Sequence, residues 1–447
     1  MTIATDTRSP IVPGETADTL FRFATAGSVD DGKSTLVGRL LHDAKAILAD
    51  QLAQVAATSR ERGFAHGAFD FALLTDGLRA EREQGITIDV AYRYFSTGRR
   101  SFILADCPGH VQYTRNMVTG AATADAVIVL VDARKGIVEQ TRRHLAVASL
   151  LRVAHVIVAV NKIDLIGFDA ERYAEIDLDA RRVAADLALD GVQVLPVSAL
   201  EGDNIVDRSA RTPWYDGPTL LELLETLPSL DETVTEAEFR LPVQLVLRPQ
   251  GGLAPTIPAD EAEHYRDYRG FAGRIASGSV RVGDRIEVFP AGIATSVTGI
   301  RIAGADAETA TAPQSVSLTL ADEVDAARGA LLVSAGTAPA GRREAVVELF
   351  QLDSRAVAVG TRVLVKHGTS TVQAQVAEVL SRRDLATLAL HDDTDSLGVN
   401  EIGRVRLRFA SALPLEPYAR NRAGGSLLLI HPADGATLAA ATVIDES

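Results

Sequence analysis

The stretch Gly27-Ser28-Val29-Asp30-Asp31-Gly32-Lys33-Ser34, followed by Thr35, constrains this chain more than any other. It fits G-x-x-x-x-G-K-[ST], follows a short apolar run (Phe21 to Ala26) and opens an amphipathic stretch (Lys33 to Leu48). A strand, a glycine turn and a helix in that order form a phosphate-binding loop. The glycines let successive backbone N–H groups point at phosphate oxygens, and the helix N-terminus adds its positive end. Lys33 is placed to put its charge on the β- and γ-phosphates of a nucleotide, and Ser34 to ligate Mg²⁺. A plain glycine turn beside a stray lysine is the alternative, and the strand before and helix after disfavour it.

The base is read further along. Asn161-Lys162-Ile163-Asp164 ends the apolar run His155 to Val160, at the carboxyl edge where α/β sheets bind ligands. An aspartate there accepts two hydrogen bonds from the N1–H and exocyclic amine of guanine. Adenine has an acceptor at N1 and lacks that amine, so a site of this kind rejects it by roughly 10⁴-fold. Lys162 lays its methylenes over the base, and the backbone N–H groups of Ser198-Ala199-Leu200 complete a pocket. Alone N-K-x-D is weak; downstream of a phosphate loop it is strong, and together they point to GTP.

Asp106-Cys107-Pro108-Gly109-His110 ends another apolar run, Ser101 to Ala105. Asp106 is expected to hold a water of Mg²⁺, Gly109 to offer its N–H to the γ-phosphate, and His110 to orient the attacking water. Cys107 reads as a small packed residue rather than a reactive one. Thr87, in Arg82-Glu-Gln-Gly-Ile-Thr-Ile-Asp89, is expected to close over Mg²⁺ as part of a switch. The weaker features read as bland. The three arginines of Arg404-Val-Arg-Leu-Arg-Phe409 make a solvated strand face, with a partner contact as the alternative, and His391-Asp-Asp-Thr-Asp395 makes a solvated turn.

The chain has 447 residues, which suggests roughly three domains at about 150 residues each. The first half alternates strand-like runs (Phe21–Ala26, Ser101–Asp106, Ala126–Asp132, His155–Asn161, Val192–Val197) with helical stretches (Lys33–Leu48, Tyr113–Ala122, Glu139–Leu151, Ala170–Leu189). That order predicts an α/β domain with a mostly parallel sheet and helices on both faces. From Phe239 onward short alternating strands and Gly-Asp turns predict two β-barrels, parted by the small-residue stretch Ser334 to Gly341. The expected limits are 1–18 for an N-terminal tail, 19–230 for the nucleotide domain, and 238–336 and 342–447 for the barrels. A net charge of −14 gives no basic field for nucleic acid or anionic membrane. With one cysteine no intrachain disulfide can form, and no apolar run approaches the roughly 20 residues that span a bilayer. A cytoplasmic protein without a membrane or nucleic-acid partner is the expectation.

Five motifs in this order on an α/β domain, followed by two β-domains, resemble the translational GTPases related to elongation factor Tu. Finer wording resembles one branch, the large GTPase subunit of bacterial sulfate adenylyltransferase. It is carried by the paired Asp30-Asp31, by Gln112-Tyr-Thr-Arg-Asn116, Asp132-Ala-Arg-Lys-Gly136 and Gln140-Thr-Arg-Arg-His144. Further on it is carried by Glu201-Gly-Asp-Asn204, Trp214-Tyr-Asp-Gly-Pro-Thr219, Tyr268-Arg-Gly-Phe-Ala-Gly273, Lys366-His-Gly-Thr369 and Asn421-Arg-Ala-Gly-Gly-Ser426. The resemblance runs over almost the whole chain after its N-terminal tail. It implies a GTP-hydrolysing subunit, with GTP and Mg²⁺, coupled to a small catalytic subunit. That partner would bind ATP and sulfate and make adenosine 5′-phosphosulfate and pyrophosphate, in sulfate assimilation. It also implies that Val29 is the apolar gate beside the attacking water and that His110 positions that water. Cys107 stands where this family often has threonine and Val111 where it often has glutamate, which suggests altered packing near the switch rather than lost activity. No S-G-G-x-D-S loop or H-x-G-H pair is present, so the ATP–sulfate site is expected on the partner. The fused kinase of some relatives is expected to be missing. An elongation-factor-like GTPase delivering aminoacyl-tRNA is the alternative.

Overall fold

In the computed structural model of the protein, strand β1 (Leu20–Ala26) leads into the glycine loop and helix α1 (Lys33–Asp43). The structure describes residues 20–45, 71, 90–108, 114–230, 236–249, 252–253, 258, 263, 268–384, 387, 389–392 and 394–445. Strands β2 (Ala91–Ser96) and β3 (Ser101–Asp106), helix α2 (Thr114–Ala121), β4 (Ala126–Asp132), α3 (Glu139–Leu150), β5 (His155–Asn161), α4 (Ala170–Asp186), β6 (Gln193–Pro196) and α5 (Leu220–Thr226) follow. The sheet runs β2-β3-β1-β4-β5-β6, parallel except for the edge strand β2, which pairs antiparallel with β3.

Alternation along β4 shows why its residues are nearly all apolar. Ala126, Ile128 and Leu130 join a core with Leu36 and Leu40 of α1 and Leu220 and Leu224 of α5. Val127, Val129 and Val131 are equally buried and point to the opposite face. The order places β1 between β3 and β4, so the chain leaves β1 towards one edge and returns to the other side of it. That reversal opens a crevice at the carboxyl end of β1, where the glycine loop sits.

In the nucleotide domain the structure adds an edge strand and a helix to the predicted alternation. The antiparallel β2 is a half-exposed edge strand, and α5 opens on a capping box between Thr219 and Glu222 whose T-x-x-E spacing was visible. Helix α1 stops at Asp43 rather than Leu48 as Lys45 turns to φ 56°, and α4 stops at Asp186 rather than Leu189 as Ala188 turns to φ 51°.

The chain divides into two compact units, residues 1–149 with 153–229, and 150–152 with 230–447. The second unit holds two β-structures with separate cores. In the first, Arg240–Pro242 and Leu245–Leu247 are halves of one extended stretch that lies at both ends of the strand order. The sheet therefore meets itself, helped by hydrogen bonds from Gln244 N to Ala272 O and from Ala276 N to Arg240 O. In the second, Arg362–His367, Ser426–Ile430, Thr437–Val443, Arg342–Gln351, Ile402–Leu413 and Ser370–Arg383 pair in sequence, and the last pairs with the first: a closed barrel. On its outer face Arg406 and Arg408 of the expected basic strand lie 3.3–3.5 Å from Glu344 and Glu378, an ion-paired solvated face. Among the described residues no cluster of three metal-ligating side chains occurs, and no helix is long and apolar enough to cross a membrane.

Candidate functional site

The glycine loop is held by its own short-range bonds. Ser28 N donates to Asp31 Oδ2 at 2.8 Å and Asp31 N to Ser28 O at 3.3 Å. Asp31 is 2% exposed, and burial raises its carboxyl above the ordinary value despite the Ser28 N–H. Gly32 takes φ 93°, and a Cβ there would lie 2.5 Å from Asn161 Nδ2, so only glycine fits the turn into α1. Lys33 is buried, and its ammonium donates to Gly27 O at 3.3 Å. Burial lowers its pKa while Asp106 and Asp31 oppose that shift. Ser28 Oγ is buried with no partner. A buried ammonium with a single long bond and an unpaired hydroxyl in one loop suit acceptor-rich phosphate oxygens.

Asp106, 2% exposed at the end of β3, accepts from Thr25 Oγ1 at 2.8 Å. With the Ser34 hydroxyl it offers the hard oxygen donors that suit Mg²⁺. Cys107 is fully buried against Gly120, where a Cβ would lie 2.5 Å from Sγ, and burial pushes the thiol up. It packs and does not react. Pro108 ends the described part of this segment; Thr87, Gly109, His110 and Val111 lie outside the described residues.

On the base side, Asn161 Nδ2 donates to Asp31 O at 2.8 Å, and Asn161 Oδ1 accepts from Ala199 N at 2.9 Å. One side chain thus ties the phosphate loop to the Ser198–Leu200 loop. Lys162 stands in the left-handed region at φ 61° and hydrogen-bonds through Nζ to Asp30 O and, at 3.1 Å, to Asp132 Oδ2. Ser198 Oγ donates to Asp164 Oδ1 at 2.6 Å and holds that carboxylate in place. The described members of the predicted set, from Gly27 to Thr35, Asp106 to Pro108, Asn161 to Asp164 and Ser198 to Leu200, therefore line one carboxyl edge of one sheet. Val29 is 39% exposed at the loop tip.

Three supports have no role assigned from sequence, although Asp132 and Lys135 lie in the stretch Asp132–Gly136 that carries the resemblance. Asp132, 1% exposed, binds Arg134 at 2.6 Å and Lys162 at 3.1 Å. Burial alone would raise its carboxyl, but these partners hold it well below the ordinary range. Lys135 lies 3.8 Å from Asp31, and Arg39 Nη1 of α1 donates to Leu200 O at 3.1 Å. An acidic residue ending the strand next to the N-K-x-D strand was the available signal for Asp132.

Comparison with known proteins agrees with this geometry. The elongation factor Tu GTP binding domain model matches residues 18–233, and the GTP-eEF1A C-terminal domain-like model matches 344–444. A Bacteroides fragilis protein named sulfate adenylyltransferase subunit 1 is 45% identical over 426 residues, covering 95% of this chain and 86% of that one. The protein of the same name from Alteromonas mediterranea is 44% identical over 427 residues, covering 96% and 87%. A bifunctional enzyme CysN/CysC from Mycobacterium tuberculosis is 47% identical over 427 residues, covering 95% of this chain and 67% of that one. A chain this similar along its length to proteins of that name, with an elongation factor Tu GTP binding domain, belongs to the sulfate adenylyltransferase subunit 1 family of the translational GTPase superfamily.

Proposed function

We propose that this chain binds and hydrolyses GTP and couples that hydrolysis to adenylyl transfer on a small catalytic subunit. There an oxygen of sulfate attacks the α-phosphorus of ATP, pyrophosphate leaves, and adenosine 5′-phosphosulfate forms. The phosphate–sulfate anhydride formed is higher in energy than the phosphoanhydride broken, so the step is uphill and coupling to a second nucleotide makes thermodynamic sense. The observation that carries the nucleotide part is the Asn161 side chain, which joins phosphate loop and base loop into one cradle. Kinship over 95% of the chain carries the adenylyltransferase part and disfavours the tRNA-delivering alternative.

In this reading Asp164, held by Ser198, accepts from guanine, and Lys162 covers the base. Lys33 and the backbone N–H groups of Gly27 to Thr35 hold the phosphates. Val29 shields the attacking water and His110 orients it. Ser34, Thr87 and, through water, Asp106 would hold Mg²⁺, which would supply positive charge against the phosphates. The domain limits 19–230, 238–336 and 342–447, a heterodimer or larger assembly, and a cytoplasmic location belong to the same proposal.

Pyrophosphate release from ATP by the protein purified with its natural partner tests it. Release that needs sulfate and rises with GTP, but not with a non-hydrolysable analogue, is the expected result. GTP hydrolysis indifferent to ATP and sulfate, with RNA in the eluate, would favour the translation-factor reading.

A further inference from the structure

Two stretches that carry the resemblance, Glu201-Gly-Asp-Asn204 and Trp214-Tyr-Asp-Gly-Pro-Thr219, flank Arg211 in the chain. The Arg211 guanidinium reaches both segments that hold Asp164. On the side of the base loop, its Nε donates to Asp203 Oδ1 at 3.1 Å and its Nη2 to Asp203 Oδ2, a bidentate pair, while Nη1 donates to Glu201 Oε2 at 3.0 Å. Asp203 closes that loop: its carbonyl accepts from Ser198 N at 3.2 Å, and Gly202 N donates to Ser198 O at 2.7 Å. Glu201 N donates at 3.1 Å to the same Ser198 hydroxyl that donates to Asp164. On the other side, the guanidinium carbon lies 4.4 Å from the centre of the Phe168 ring, a cation–π contact. Phe168 N donates to Ile163 O at 3.0 Å and Gly167 N to Asp164 O at 3.1 Å, so Phe168 closes the turn that carries Asp164.

Phe168 stands at φ 60°, in the left-handed region that a bulky side chain rarely adopts. Such a conformation persists where its surroundings fix it. Here Trp214 Nε1 donates to Phe168 O at 3.0 Å, the Trp214 ring packs 5.1 Å from that of Tyr173 in α4, and the Tyr173 hydroxyl donates to Val194 O in β6 at 2.9 Å. The turn is thereby anchored to the sheet, and Arg211 joins it to the base loop. The Arg211 side chain is 45% exposed, so its ion pairs add little to global stability. What the planar fork supplies is geometry: fixed on both oxygens of Asp203, it sets the plane that lies over Phe168. Ser209 Oγ also donates to Asp203, at 2.5 Å, which leaves that carboxylate a donor when Arg211 is removed.

We propose that Arg211 is a positioning residue for guanine recognition: it clamps the Ser198–Asp203 loop to the turn after Asp164 and so holds the Asp164 carboxylate in register with the exocyclic amine of the base. This rests on the guanine reading of Asp164.

The test titrates GDP and inosine diphosphate, which differ only in that amine, against the full-length chain, R211A and R211K. The wild-type chain is expected to favour GDP about 10-fold or more, the scale of one hydrogen bond to a charged group. R211A is expected to lower that preference about 5-fold or more, and R211K, which keeps a charge without the fork, about 3-fold or more. Parallel weakening of both nucleotides, or an unchanged preference in both variants, would make Arg211 a residue of stability alone and overturn the proposal. Should R211A not fold, R211K decides by the same readout. A wild-type chain that bound GDP and inosine diphosphate equally would instead fail the guanine reading of Asp164, and this inference with it.

Discussion

In the proposed base site, selectivity would rest on the Asp164 carboxylate, a group that only accepts and is fixed by Ser198 at 2.6 Å. D164N puts a donor against the donors of guanine and an acceptable partner against the carbonyl of xanthine. GTP affinity is expected to fall on the order of 10²-fold or more while xanthosine triphosphate gains. Competition titration reads this directly, and an unchanged ratio of the two would remove Asp164 from the base site. Buried histidines make a second residue-scale statement. Burial holds His144 down to about 3, and burial also lowers His367 despite its hydrogen bond to Gly424 O. Each native pKa lies below the ordinary 6.5, so the unfolded chain takes up protons first as pH falls below that value. Stability is therefore fully present above 6.5 and is lost on acidification towards the native pKa. For His144 the loss is about 1.4 kcal/mol between about pH 7.5 and about pH 5.5. Urea unfolding at the two pH values measures it, and H144L should show a slope shallower by that amount.

At the scale of elements, the cradle depends on how α1 meets the loop after β6. Arg39 reaches from α1 to Leu200 O, and its guanidinium passes so close to Gly202 that a Cβ there would lie 2.2 Å from Nη2. Gly202 also takes φ 90°, which a side chain disfavours. G202A should therefore cost about 1–2 kcal/mol of stability and displace Arg39 from the base loop. Guanine-nucleotide affinity should drop with it, whereas R39A/G202A should recover part of the stability and none of the affinity. Equal nucleotide binding by G202A and wild type, read by titration, would show that the loop holds without this contact.

At the scale of the whole molecule, the second unit has two cores and one shared polar seam. Arg240, 6% exposed, donates to Phe239 O, to Thr337 Oγ1 and Thr337 O in the connecting stretch, and to Glu416 at 3.3 Å. Asn421 Nδ2 holds the other side of Glu416 at 2.8 Å, and Ser370 Oγ donates to Gly329 O across the same seam. Five hydrogen bonds from one guanidinium tie the first β-structure, the linker and the second barrel together. R240A leaves Glu416 and the Thr337 carbonyl short of donors, at about 2–4 kcal/mol. R240K, a point charge without the fork, should rescue little of it. Denaturant unfolding followed by tryptophan-independent circular dichroism would show the change, and a loss under about 0.5 kcal/mol would mean that the seam is decorative.

Much of the nucleotide domain was legible before any coordinates. The runs Ser101–Asp106, Ala126–Asp132 and His155–Asn161 are strands over those residues because strands buried on both faces read as continuous apolar stretches. The glycine loop was legible because a left-handed turn and a close backbone approach at Gly32 admit one residue type. What could not be read was which distant side chains meet. Edge strand β2 mixes exposed and buried residues, so its pattern is set by a neighbour rather than by itself. The contact of Lys162 with Asp132 and the reach of Arg39 to Leu200 depend on residues brought together by the sheet order, 30 and 161 positions apart. Local chemistry is written residue by residue along the chain, whereas hydrogen-bond partnership across a sheet exists only once the strands have found their order.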